Sequence, residues 1–135
     1  MNLFVDTSVW SLAFRRDTPP DLPEVRELQR GLDSGTVFCT GLVLQELLQG
    51  FSTPNASKQI IAHFAALPLL VPDRDDHVHA AELRNTCRRK GIQIGTIDAL
   101  LAQLCIRHEL MMLTTDQDFQ SIASIGSLSI WHPKK

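Results

Sequence analysis

The sequence predicts an α/β fold, a three-layer α/β/α sandwich around a mostly parallel central sheet, in a single domain over residues 1–135. Short apolar runs at Leu3-Phe-Val5, residues 36–39 and residues 110–113 contain neither Gly nor Pro. The first is continuous rather than alternating, the pattern of a strand buried on both faces. Segments with helical spacing separate the three runs, as in a parallel sheet with right-handed crossovers. The first and last runs also meet polar clusters, Asp6-Thr-Ser8 and Thr114-Thr-Asp116, at their carboxyl ends. Open α/β sheets collect ligands at that edge.

Taken in order, residues 7–15 form a first helix with Val9, Trp10, Ala13 and Phe14 on one side and Arg15 and Arg16 near its end, where cations suit the dipole. The proline-rich segment 17–23 breaks it. Pro23 suits the first turn of a second helix running to Gly35, with Val25, Leu28 and Leu32 facing inward. After the strand at 36–39, residues 41–49 are helical, with Val43, Leu44, Leu47 and Leu48 on the apolar face and Glu46 on its flank. Residues 56–67 follow with Ile60, Ile61 and Phe64 toward the core, then a short strand at 69–71. Asp75 and Asp76 are expected to cap a long helix reaching Lys90. Residues 91–95 lead into a largely apolar helix whose expected N-cap is Thr96, with Asp98 in its first turn. A strand at 110–113, a short helix at 119–124, an edge strand at 128–131 and a basic tail complete the chain.

With 44% hydrophobic and 21% charged residues, the composition is that of a soluble globular protein. No apolar stretch is long enough to span a bilayer and no secretory leader is evident, which predicts a cytoplasmic location. Cys39, Cys87 and Cys105 are odd in number and widely spaced, which argues for buried thiols over a disulfide framework or a zinc site. The formal net charge of −2 counts against a nucleic-acid partner only if charge is spread evenly. If Asp6, Glu46, Asp98, Asp116 and Asp118 share one site, the remainder of the chain is net positive.

Each acid alone has an ordinary structural reading. Asp6 can be a helix N-cap, Glu46 a solvated flank residue and Asp98 a first-turn acid favoured by the dipole. Brought together they would repel one another, and divalent metal removes that conflict. Oxygen ligands without His or Cys favour Mg²⁺ or Mn²⁺. Two such ions roughly 3.5–4 Å apart are the usual apparatus for hydrolysing a phosphodiester. Arg84, Arg88, Arg89 and Lys90 form a basic patch, either a solvated face or a contact for a phosphate backbone.

The segments Phe4-Val-Asp-Thr-Ser-Val-Trp10, Gly41-Leu-Val-Leu-Gln-Glu-Leu-Leu-Gln-Gly50, Ile94-Gly-Thr-Ile-Asp-Ala-Leu-Leu-Ala102 and Leu113-Thr-Thr-Asp-Gln-Asp-Phe119 resemble, in order, the four motifs of the PIN domain. The likeness is specifically to VapC-type toxin ribonucleases of type II toxin-antitoxin systems. It implies a PIN-like fold and an Mg²⁺- or Mn²⁺-dependent endoribonuclease acting on structured RNA such as tRNA or rRNA. It also implies homodimers and a cognate VapB-type antitoxin whose tail blocks the acidic cleft. Position by position, Asp6, Glu46, Asp98 and Asp116 match the core metal-site acids, Asp118 a more variable acid, and Ser8, Thr114 and less specifically Thr7 the supporting hydroxyls. No core acid is missing. The competing expectations are a catalytically silent PIN-like RNA- or protein-binding module and a DNA-directed structure-specific nuclease.

Overall fold

The computed structural model describes residues 1–15 and 20–134, so Arg16, the start of the proline-rich break and the last residue of the basic tail lie outside it. The order is β1 (Leu3–Val5), α1 (Thr7–Ala13), α2 (Pro23–Ser34), β2 (Val37–Thr40), α3 (Gly41–Gly50), α4 (Pro54–Phe64), β3 (Leu69–Leu70), α5 (Arg74–Arg89), α6 (Thr96–Arg107), β4 (Met111–Leu113), α7 (Gln117–Ala123) and β5 (Ser129–Ile130). The five strands form one sheet in the order β3-β2-β1-β4-β5, and every pairing is parallel. The chain builds outward from β1 to β3, crosses back, and builds outward again through β4 and β5. Right-handed crossovers then put α1 to α4 on one face and α5 to α7 on the other. Helix contacts divide in the same way, with α1 against α2 and α3, α3 against α4, and α6 against α5 and α7. Strand order reverses between β1 and β4, so the crevice beyond their carboxyl ends is the place where this topology receives a ligand.

The central strand is the driest: Leu3, Phe4 and Val5 are all buried, because both sheet faces are covered. Trp10 fills the α1 side, where its indole N–H donates to the Val5 carbonyl at 3.1 Å and its ring lies 4.7 Å from that of Phe64. That bond keeps a large buried aromatic from stranding a donor. Gly35 ends α2 in the left-handed region at φ 69°, a conformation that penalises a side chain. Gly31 is selected by space instead. A Cβ there would sit 2.8 Å from Val37 Cγ2 and 3.2 Å from Leu3 Cδ1, both on short side chains of the sheet. Gly31→Ala is therefore expected to destabilise by a net of about 1–2 kcal/mol, overpacking outweighing the better helix propensity of alanine. Thermal unfolding checks this, and an unchanged or raised Tm would contradict the close contact.

The longest helix, α5, is tied to α6 by a pair that the sequence spacing did not suggest. Arg107 in the last turn of α6 donates from Nε and Nη2 to both oxygens of Asp76 in the first turn of α5, at 2.7 and 2.8 Å. Asp76 is fully buried; burial alone would push its carboxyl up, but the Arg107 fork and a backbone N–H from Asp73 hold it below the usual range. The cap of α5 is Asp73, whose side chain and that of Asp76 bond reciprocally to each other's backbone N–H. Asp75 and Asp76 lie inside the first turn rather than before it; the N-cap position falls to Asp73, Asp76 keeps the expected capping role as its partner in the capping box, and Asp75 is a first-turn acid.

Other expectations shift by a turn or less. Helix α1 ends at Ala13, before Arg15. Helix α4 begins at Pro54 behind the Thr53 cap, earlier than residue 56, and Ile61 points outward at 54% exposure while Ile60 and Phe64 face the core. Gly95, not Thr96, is the N-cap of α6. All three cysteines are buried, and burial pushes their thiols up, leaving no activated nucleophile among them. No helix among the described residues is long and apolar enough to cross a membrane.

Candidate active site

Asp6 stands one residue past β1 and is the N-cap of α1, so the capping and site readings are not alternatives: one carboxylate does both. Its Oδ1 accepts from the Ser8 backbone N–H at 2.8 Å. Its Oδ2 accepts from the Ser8 hydroxyl at 2.9 Å and from the Thr114 hydroxyl. Of the roughly four lone-pair positions on a carboxylate, three are thereby used and one, on Oδ1, stays available. Asp116 repeats the device at the end of β4. It is the N-cap of α7, accepting from the Asp118 N–H at 2.9 Å, and its own N–H donates to the Thr114 hydroxyl at 3.0 Å. Thr114 thus bonds to both strand-end acids, while Ser8 reaches across to accept from the Thr115 N–H at 3.0 Å. Backbone bonding from Asp6 N–H to the Leu113 carbonyl at 3.1 Å holds the two strand ends in register.

Asp98 enters from the first turn of α6. Carboxylate oxygens of Asp98, Asp116 and Asp118 lie within 4.8 Å of one another, one half-buried group from α6 facing a half-buried and an exposed one from α7. Burial, followed by the charges of Asp116, Asp118, Asp6 and Glu46, pushes the Asp98 carboxyl up to about 6. Burial also pushes Asp6 up against the lowering bonds from Thr114 and Ser8, and Asp116 adds to the rise. Glu46, exposed on α3, is raised by burial and by Asp6, with the Thr7 hydroxyl, 3.4 Å from its Oε1, opposing. The five acids therefore form one electrostatically connected group. Its tightest part is Asp98, Asp116 and Asp118; Asp6 and Glu46, expected from sequence in the core of the site, lie outside that 4.8 Å triad and are linked to it through their charges. Asp118, read from sequence as the more variable member, lies inside it because the Asp116 cap turns the chain so that residues 116 and 118 face α6.

The donor set fits a hard divalent cation. It is oxygen only, negatively charged, open to solvent at Asp118 and Glu46, and expensive to leave without a counter-charge. The residues of the expected basic patch are on α5 and at its C-cap. Arg88 and Arg89 are exposed and bond to Asn85 and Thr86 on their own helix, at 3.2 Å each. Lys90, also exposed, follows as the C-cap residue, whereas Arg84 is half-buried and donates to the Ile94 carbonyl. A groove of about 680 Å³ lined by Trp10, Phe14, Leu28, Leu32 and Phe51 opens elsewhere and contains none of the five acids. The acids are marked out by charge and convergence rather than by enclosure.

The PIN domain family model matches residues 3–125. The VapC ribonuclease Mb1587 of Mycobacterium bovis and the ribonuclease VapC11 of Mycobacterium tuberculosis are each 32% identical over 128 residues, covering 93% of this chain and 95% of the relative. Among solved structures, VapBC2 from Rickettsia felis bound to a promoter DNA fragment superposes with a TM-score of 0.74 at 21% identity, over 97% of this chain and 98% of the other. The chain belongs to the PIN-domain family and, within it, to the VapC ribonuclease type.

Proposed function

We propose that the protein is a metal-dependent endoribonuclease toxin that hydrolyses phosphodiester bonds of structured RNA, tRNA or rRNA, and is neutralised by a cognate VapB-type antitoxin. The observation that carries this reading is the convergence of Asp98, Asp116 and Asp118 beside Asp6 and Glu46 at the strand-order reversal. The ribonuclease names of its relatives support the RNA substrate, and the homodimer and antitoxin belong to the same reading.

In this account Asp98, Asp116 and Asp118 hold Mg²⁺ or Mn²⁺, with Asp6 and Glu46 completing the acidic set. A bound divalent ion supplies Lewis acidity, making water a better nucleophile and offsetting charge on the scissile phosphate. The protein's own contribution is placement. Ser8 and Thr114 fix the Asp6 carboxylate, Thr114 also fixes the Asp116 backbone, and Thr7 steadies Glu46. Arg88, Arg89 and Lys90 give α5 the positive end that an RNA backbone approaches, whereas half-buried Arg84, the fourth basic residue there, bonds to the Ile94 carbonyl instead. Purified protein incubated with tRNA, rRNA and DNA of matching sequence, with Mn²⁺ or with chelator, tests the reading. RNA cut only when metal is present is the expected result. Retention of RNA on a gel without scission would replace the enzyme by a binding module, and preferential cutting of DNA would replace the substrate.

A further inference from the structure

We infer that Arg84 is a positioning residue: by bonding to the Ile94 carbonyl it fixes the start of α6, and with it Asp98, against the acids of α7. The inference rests on the reading of Asp98, Asp116 and Asp118 as a cation site. Arg84 Nε donates to Ile94 O at 2.9 Å across the gap between α5 and the connection into α6. Ile94 immediately precedes Gly95, the N-cap of α6, and that cap has no side chain with which to bond the helix. Asp98 follows three residues after Gly95, within the first turn, so a shift of Ile94 is carried rigidly to the Asp98 carboxylate.

A restraint is needed there because the first turn is under load. The Asp98 carboxylate lies within 4.8 Å of those of Asp116 and Asp118, and the charges of Asp6 and Glu46 add smaller repulsion. Repulsion from the α7 side must be resisted from the α5 side. The buried side chain of Ile94 supplies an apolar anchor, and Arg84 supplies a charge-assisted bond to the adjacent carbonyl. At the other end of α6, Arg107 bonds to Asp76, so α5 grips α6 at both ends. Arg88 and Arg89 differ in kind, bonding to side chains three residues earlier on their own helix.

Two substitutions separate a donor from a charge. Glutamine places its amide nitrogen as many bonds from Cα as the Arg Nε, so Arg84→Gln keeps the N–H donor and loses the charge. Arg84→Met has the same length and keeps neither. Mn²⁺ affinity is measured calorimetrically on the free protein without RNA, alongside kcat and KM for RNA cleavage and the Tm of each variant. Arg84→Met is expected to weaken Mn²⁺ binding and lower kcat, each by about tenfold or more. KM should change little, and Arg84→Gln should stay near wild type in both readouts. Equal loss in the two variants would overturn the donor role. So would Mn²⁺ binding unchanged in both with KM raised in both, the result of a direct charge contact to RNA. If Arg84→Met does not fold, impaired Mn²⁺ binding by the folded Arg84→Gln variant overturns the proposal by itself. Wild-type protein that takes up no Mn²⁺ would instead overturn the cation-site reading on which the proposal stands.

Discussion

Asp98→Asn is expected to lower RNA cleavage by at least about 10²-fold while making the metal-free protein more stable at neutral pH. The first effect follows from removing a charged oxygen ligand from the tightest part of the acidic group. The second follows from the carboxyl's raised pKa, about 6 through burial and then four like-charged neighbours. The folded state holds the Asp98 proton more tightly than the unfolded chain does, so ionising Asp98 costs the fold stability as pH rises. That cost is absent below the unfolded carboxyl value near 4, grows as pH rises toward 6, and is fully present at pH 7 and above. After discounting for a half-exposed carboxylate, the neutral variant should gain about 1–2 kcal/mol at pH 7.5, a Tm rise of a few degrees. The gap should close as pH is lowered toward 4. Adding Mn²⁺ should reverse the order, because the ion stabilises the state that binds it. Thermal melts of wild type and variant across pH, with and without Mn²⁺, check this; superimposable curves throughout would mean that Asp98 is not under electrostatic load.

Thr114→Val carries the next largest expectation. Valine nearly matches threonine in shape, so the packing around this buried position survives. The hydroxyl does not, and with it go the bond to Asp6 Oδ2 and the acceptor for the Asp116 N–H. Both strand-end acids lose a positioning contact through one atom. Cleavage is expected to fall by about 10–100-fold, as when a partner that orients a ligand is removed. Stability should fall by about 1–3 kcal/mol for the unsatisfied buried groups. Thr114→Ser, which keeps the hydroxyl, should retain most of both. Steady-state cleavage rates and denaturant melts provide the comparison, and wild-type activity in the valine variant would remove Thr114 from the supporting network.

The legible parts of the chain were those where chemistry changes abruptly along the sequence. Leu3-Phe-Val5 giving way to Asp6, and residues 110–113 giving way to Thr114 and Asp116, marked both strand ends that the topology brings together. Local spacing also placed Asp98 in the first turn of α6 and Glu46 on the flank of α3. Ranking within the acidic group was less accessible. Asp118 joins the triad because of how the Asp116 cap turns the chain, and Asp6 stands beside it with three of its lone pairs already taken by Ser8 and Thr114. The Asp76 to Arg107 pair spans 31 residues, and no periodicity reports a contact between helices at that range. Ile61 shows the opposite limit: hydrophobicity suggested burial, but its neighbours Ile60 and Phe64 already occupy the inward face. At Arg84 the residue type indicated charge, whereas in the fold its Nε donates to a backbone carbonyl ten residues away.

Calorimetric titration of Mn²⁺ into wild type and into Asp98→Asn, Asp116→Asn and Asp118→Asn most directly tests whether acids from α6 and α7 share a cation. Saturable binding by the wild type, weakened about tenfold or more by each single substitution, is the predicted result. Substituted proteins that bind Mn²⁺ as tightly as wild type would contradict a shared site.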